Sequence, residues 1–128
     1  MYHDNRRKFH RIDFEGMANL DFLNCRYECC PIKNLSLTGM YVEGNFKLQR
    51  IKNCYIKLFH NDKSGNNSLE IHGEVVWCND KGAGFRFINM TLENYELLHE
   101  ILTRNAEYPV IIINQIPKEF PYEVMLPN

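Results

Sequence analysis

Short stretches of β-prone residues, separated by turn formers, fill the chain between Phe14 and Ile88, and this pattern constrains the fold more than any other feature. Alternating apolar and polar residues bounded by Gly, Asn, Asp or Pro are typical of strands that are buried on one side only. We expect strands at about 14–23, 26–34, 40–42, 54–59, 69–78 and 83–88. Such a series of short antiparallel strands indicates a barrel or a sandwich. Pro31 lacks an amide hydrogen and therefore predicts an edge or a bulge within the second strand.

The period of the apolar residues changes after the last of these strands. They recur at three- and four-residue spacing at Leu92, Tyr95, Leu98 and Ile101/Leu102. This spacing predicts one amphipathic helix over about 91–104, with Thr91 as its N-cap and Glu93 in its first turn. The apolar stripe of the helix would cover an open end or face of the β-structure.

A chain of 128 residues with 45% apolar residues can bury one self-sufficient core. No apolar run approaches the roughly 20 residues of a membrane-spanning helix, and residues 1–11 lack the apolar segment of a secretory signal. We therefore expect a cytoplasmic protein without membrane insertion, whose five cysteines are thiols.

The near-neutral net charge of −1 conceals an uneven distribution. Residues 1–11 contain four of the 15 basic side chains and one of the 16 acidic ones, so this arm carries +3 and the remainder −4. A basic arm in front of a mildly acidic body is suited to capturing an anionic partner, although terminal charges are also often only solvated.

Two polar clusters carry the candidate chemistry. One is an Arg-x-x-x-Arg spacing at Arg7 and Arg11, and the other is the turn Asn34-x-Ser36-x-x-Gly39. A guanidinium is a planar fork that bonds bidentately to a phosphate or to guanine, and it stacks on base faces. An amide and a hydroxyl bond to base edges and phosphates, and glycine permits close approach to the backbone. Together these groups suit a phosphorylated purine.

These clusters resemble the signature of the PilZ domain family, Arg-x-x-x-Arg followed by (Asp/Asn)-x-Ser-x-x-Gly. They stand here as R-K-F-H-R and N-L-S-L-T-G, with asparagine replacing the commoner aspartate. The segment V-V-W-C-N-D-K-G-A-G-F-R-F at 75–87 is similar to the last barrel hairpin of such domains, so the resemblance covers about 4–105. It implies a mainly all-β fold, a six-stranded antiparallel β-barrel with one C-terminal helix, and a receptor for the bacterial second messenger cyclic diguanylate (c-di-GMP).

The resemblance also implies the site. The expected ligand-binding residues are Arg6, Arg7, Arg11, Asn34, Ser36 and Gly39, with Lys8, Trp77 and Gly84 as weaker candidates. An arginine at the position of Arg6 accompanies two stacked ligand molecules in this family, so we expect two per chain. Trp77 would stack on a base, or it is simply a rim or core aromatic.

Three regions follow from this interpretation. Residues 1–12 form a flexible basic arm, residues 13–105 form the barrel and helix, and residues 106–128 form an extension of unknown role. The arm would become ordered over c-di-GMP and create a surface for a downstream protein in motility, secretion or polysaccharide synthesis. The Ile-rich run at 110–113 would add an edge strand or dock against another chain, which leaves a homodimer open.

Other function classes fit less well. The C-x-x-x-C-C spacing of Cys25, Cys29 and Cys30 matches no paired zinc motif, so we expect no metal. No nucleophile, base and oxyanion donor come from one local constellation, so we expect no enzyme and no cofactor. A body of −4 would repel duplex nucleic acid. The main alternative is a PilZ-like protein-interaction module that binds no nucleotide.

Overall fold

A computed structural model describes residues 12–48, 53–60, 68–105 and 120–127. Its elements, in chain order, are β1 (Ile12–Asp13), β2 (Gly16–Phe22), β3 (Arg26–Leu35), β4 (Gly39–Glu43), β5 (Asn53–His60), β6 (Ser68–Cys78), β7 (Gly82–Thr91), α1 (Leu92–Asn105) and β8 (Glu123–Met125). The six strands expected from the sequence are confirmed as β2 to β7. The short strands β1 and β8 were not expected.

Six strands close into an antiparallel barrel. Hydrogen bonding runs from β3 through β2, β5, β6 and β7 to β4, and the pairing of β4 with β3 completes the circle. The helix α1 follows the barrel directly. The predicted fold, a six-stranded antiparallel β-barrel with one helix after it, is therefore confirmed.

Buried and exposed residues alternate along the strands, which gives the barrel an apolar interior. In β5, Cys54, Ile56 and Leu58 are buried, whereas Tyr55 and Lys57 between them are exposed. The other barrel strands contribute inward-facing side chains in the same way, which include Ala18, Leu20, Ile32, Met40, Val42, Leu69, Ile71, Phe85 and Phe87. Burial of each large side chain stabilises the fold by about 1.5–3 kcal/mol.

Bulges on both sides of Pro31 bend β3. The register against β2 shifts between Ala18 and Leu20, and the register against β4 shifts between Ile32 and Asn34. Cys29 lies in the first bulge with φ of 55°, and its amide donates to Oδ1 of Asn19 at 2.9 Å. The proline thus sits beside interruptions of the ladder, as the sequence predicts.

The helix begins and packs as expected. The amide of Asn94 donates to Oγ1 of Thr91 at 3.2 Å, which makes Thr91 the N-cap. Tyr95, Leu98, Ile101 and Leu102 are the buried residues of the helix. The helix spans Leu92–Asn105, one residue later than the predicted 91–104.

The C-terminal part of the chain returns to the barrel in β8. This strand pairs parallel with the end of β7, with Asn89, Met90 and Thr91 opposite Glu123, Val124 and Met125. The run at 110–113, for which we expected an edge strand or a dimer contact, lies outside the described residues.

The five cysteines are distributed between the core and the surface. All five cysteines are free thiols, and Cys29 is exposed whereas Cys30 is buried. Cys25 precedes β3 and is half-buried. Within the described ranges no group of three His, Cys, Asp or Glu side chains could hold a metal ion. No helix in the same ranges is long and apolar enough to span a membrane.

The buried Cys54 thiol predicts a specific loss of stability at alkaline pH. Burial raises the pKa of Cys54 from 9.0 to about 12, and the Asp21 carboxylate adds to the effect. Below pH 9 both the folded and the unfolded chain keep this proton, whereas between pH 9 and 12 the unfolded chain alone loses it. We expect this thiol to lower the free energy of unfolding by about 1.4 kcal/mol per pH unit across that window.

Urea titrations of the wild type and of Cys54→Ala at several alkaline pH values measure this contribution. The variant lacks the thiol and should therefore lose stability less steeply than the wild type. Parallel pH profiles for the two proteins would contradict the assignment.

Candidate functional site

The turn between β3 and β4, residues 35–39, holds the second half of the signature and is organised by Ser36. The Ser36 amide donates to the Gly39 carbonyl at 2.9 Å. The Ser36 hydroxyl accepts from the amides of Thr38 and Gly39 at 3.2 and 3.3 Å, and it lies 3.3 Å from the Gly39 carbonyl. Ser36 is only 1% exposed, so its hydroxyl holds the turn together. We call residues 35–39 the signature turn.

Gly39 allows β4 to approach β7. A Cβ atom at this position would lie 2.1 Å from the backbone oxygen of Phe85, which no neighbouring side chain could relieve by moving. The carbonyl of Thr38, one residue earlier, accepts from the Phe87 amide at 2.8 Å. The absence of a side chain at Gly39 therefore serves the contact between two strands, in addition to any contact with a ligand.

β1 brings the end of the N-terminal arm to the signature. Ile12 pairs with Leu35, and Asp13 pairs with Asn34. Asn34 is half-buried and also pairs with Tyr41 of β4. Arg11 is the chain neighbour of Ile12, so the two halves of the signature are joined through this short strand. Arg6, Arg7, Lys8 and Arg11 themselves lie outside the described residues.

Four residues beside the signature turn lie opposite one another on neighbouring strands. Asn34 of β3 lies opposite Tyr41 of β4, Tyr41 opposite Gly84 of β7, and Gly84 opposite Trp77 of β6. We call this set the outer row. Because strands are about 4.8 Å apart, the outer row extends over about 14 Å of the barrel surface.

Trp77 and Tyr41 form an aromatic pair over Gly84. Their ring centroids are 5.1 Å apart with an interplanar angle of 48°. A Cβ at Gly84 would lie 2.2 Å from Nε1 of Trp77, so the indole rests directly on this glycine. Trp77 is 46% exposed, which leaves part of the ring open to solvent. The predicted candidates Trp77 and Gly84 thus contact each other and lie in the same row as Asn34.

Two residues, one within the outer row and one beside it, were not expected from the sequence as part of a site. Tyr41 is the partner of Trp77, and its signal is its position two residues after Gly39 on the same strand face. Arg86 lies opposite Gly39 and forms an ion pair with Glu74. Its exposed guanidinium is a cation next to the signature turn.

Burial raises the pKa of two thiols and two phenols that lie in or against the core. Burial raises the pKa of Cys30 and, more strongly, that of Cys54 to about 12. Burial also raises the pKa of Tyr95 and of Tyr122. These four groups keep their protons at neutral pH.

A groove of about 340 Å³ lies elsewhere, on the outer surface of β2, β3, β5 and β6. It is lined by Asn19, Asp21, Arg26, Glu28, Tyr55, Ile56, Lys57 and Glu70. Arg26 and Asp21 form an exposed ion pair within it at 3.2 Å. None of these lining residues is a sequence-predicted site residue, and their charges are mixed. The signature turn and the outer row therefore remain the better candidate site.

The chain belongs to the PilZ domain family. A family model described as PilZ domain matches residues 5–104, which include both halves of the signature. This family is of the c-di-GMP receptor and adaptor type and is not a class of enzymes. No curated protein matches the chain.

Two solved structures share the fold. The inhibitor of motility MotI/DgrA from Bacillus subtilis superposes with a TM-score of 0.62 at 13% identity, covering 81% of this chain and 53% of its own. An uncharacterized protein from Legionella superposes with a TM-score of 0.50 at 22% identity, covering 74% of this chain and 91% of its own. The chain thus spans about half the length of the Bacillus protein.

The packing of Trp77 on Gly84 predicts the effect of Gly84→Ala. The added methyl group would occupy the position of the indole, because an ideal Cβ lies 2.2 Å from Nε1 of Trp77. We expect the indole to leave Tyr41 and to become more exposed. Since Trp77 is the single tryptophan, its fluorescence emission reports this change directly and should shift to longer wavelength.

Val76→Ala is the matched control, because Val76 is the exposed neighbour of Trp77 in β6. It should leave the emission maximum unchanged. An unaltered emission maximum in Gly84→Ala would show that the indole does not rest on this glycine.

Proposed function

We propose that this protein is a c-di-GMP receptor whose N-terminal arm closes over the ligand and creates a surface for a downstream partner. The observation that carries the proposal is the pairing of β1 with the Asn34 end of β3. This pairing anchors the chain that follows Arg11 beside the signature turn. Membership of the PilZ family supports the choice of ligand.

The proposed complex divides the ligand between two surfaces. The outer row would supply the amide of Asn34 and the exposed ring of Trp77 for guanine, while the arginines of the arm would bond to the phosphates and to guanine edges. Arg7 precedes Ile12 by five residues, which span at most about 18 Å when extended. That reach exceeds the roughly 14 Å of the outer row, so the arm is long enough to cover it.

The charge distribution favours an anionic ligand held by the arm. Residues 1–11 carry +3, whereas the rest of the chain carries −4. A ligand that neutralises the arm would remove the repulsion among its basic side chains and lower the cost of ordering it. Free thiols at all five cysteines fit a receptor that acts in the reducing cytoplasm.

Isothermal titration with c-di-GMP tests the assigned site. We expect Arg7→Ala and Arg11→Ala each to weaken binding by about 1.5–3 kcal/mol, because each removes a charge-assisted contact with the ligand. Arg104→Ala is the matched control, since Arg104 pairs with Glu100 at the end of the helix and lies outside the proposed site. It should bind like the wild type.

Unchanged affinity in both arm variants would refute the assigned site. Amide exchange across residues 1–12 gives a second readout, because an arm that closes over the ligand should exchange more slowly when c-di-GMP is added. A wild type that binds no c-di-GMP would leave the alternative, a PilZ-like protein-interaction module.

Arg6 predicts the stoichiometry of the complex. Because an arginine at this position accompanies a stacked ligand pair in the family, we expect two c-di-GMP molecules per chain. Titration at protein concentrations well above the dissociation constant measures this number directly. A stoichiometry near one would contradict the prediction, and Arg6→Ala should reduce the number from two to one.

The downstream partner is proposed from similarity. The fold is shared with a Bacillus inhibitor of motility, and we extend this to a protein partner in motility, secretion or polysaccharide synthesis. Capture experiments with and without c-di-GMP identify such a partner by its dependence on the ligand.

A further inference from the structure

The C-terminal segment reaches back to the signature turn through Tyr122. Its hydroxyl donates to the carbonyl of Leu37 at 2.6 Å, across 85 residues of sequence. Leu37 lies in the middle of the turn and is 2% exposed. A buried backbone carbonyl needs a hydrogen-bond partner, and the partner here comes from a segment outside the barrel strands and the helix.

The position of Tyr122 is set by two aromatic contacts and by the strand that follows it. Its ring contacts Phe87 of β7 at a centroid distance of 6.4 Å and Tyr95 of α1 at 6.1 Å. Phe120 packs edge-on against the same Tyr95 at 4.8 Å. The next residue, Glu123, begins β8 and pairs with Asn89. The hydroxyl is therefore aimed at the turn by a strand pairing and an aromatic cluster.

The hydroxyl is well suited to this role. Burial raises the pKa of Tyr122 far above its ordinary value, with the nearby Tyr95 adding to the effect, so the group stays a donor at any physiological pH. Ser36 makes further hydrogen bonds within the turn, and the Phe87 amide donates to the carbonyl of Thr38. Leu37 lies between Ser36 and Thr38, and the Tyr122 hydroxyl, from outside the turn, donates to its carbonyl.

We propose that Tyr122 is a positioning residue for ligand binding, which holds the signature turn in its binding conformation without touching c-di-GMP. This inference rests on the proposed function for its effect on affinity. Its effect on the turn itself does not depend on the ligand. The extension at 106–128, whose role the sequence leaves open, would then set the affinity of the site through one hydroxyl group.

The test is Tyr122→Phe, which keeps the ring and removes only the hydroxyl. In the free protein we expect the amide exchange of Ser36, Thr38 and Gly39 to accelerate by about two- to tenfold, the equilibrium change that one neutral hydrogen bond produces. The dissociation constant for c-di-GMP should rise by a similar factor. Tyr27→Phe is the matched control, because the Tyr27 hydroxyl accepts from the Lys47 amide at 3.4 Å, at the other end of β3. It should leave the exchange of the turn and the affinity unchanged.

The outcomes separate the two proposals. Wild-type exchange at the turn in Tyr122→Phe would overturn the positioning role, and so would an equal acceleration at Leu58 in β5, which would indicate general destabilisation. Faster exchange at the turn with unchanged affinity would overturn the link to ligand binding. If the wild type binds no c-di-GMP, the proposed function fails, and the exchange at the turn still decides whether Tyr122 positions it.

Discussion

The structure depends on one closure, the hydrogen bonding of β3 to β4, which turns a six-stranded sheet into a barrel. Without this pairing the two strands would be edges with unpaired backbone groups, and the inward face would be open to water. The signature turn is the connection that makes the closure. Ser36 satisfies two of its amides, and Gly39 lets β4 lie against β7. Residues predicted to bind a ligand are therefore also residues that the fold requires.

Because the same residues shape the turn and were predicted to bind a ligand, the outer surface near the turn is fixed by the fold. The inner face is filled by the core, so the side chains that a ligand could contact are those on the outside, where strand alternation presents every second residue. Tyr41 and Trp77 are held on neighbouring positions by Gly84, and their arrangement is set by strand pairing and does not need a ligand. A preformed surface lowers the entropy cost of binding for any ligand that it receives.

Much of this architecture could be predicted from sequence because its signals are local. The alternation of apolar and polar residues predicted the strands from β2 to β7. The three- and four-residue spacing of apolar residues from Leu92 onward predicted the helix to within one residue. The paired motifs identified the family. Pro31 indicated a bulge because the lack of an amide hydrogen is a property of the residue itself.

The remainder depends on contacts between distant segments, which carry no local signal. β8 has only three residues, and it pairs with β7 beside the aromatic contact of Tyr95 with Tyr122. The burial of the Ser36 hydroxyl within its own turn could not be separated from a ligand contact by residue type, since serine serves both purposes. The contribution of the arm stays a prediction, because its arginines lie outside the described residues.

The hydrogen bond between Tyr122 and Leu37 also orders events during synthesis. The two residues are separated by 85 positions, so at about 5–20 residues per second the ribosome adds Tyr122 some 4 to 17 s after Leu37. Throughout that interval the middle carbonyl of the turn lacks this partner. This contact of the signature turn thus forms only after all six barrel strands and the helix have been made, so it joins the turn to a part of the chain that appears after the barrel.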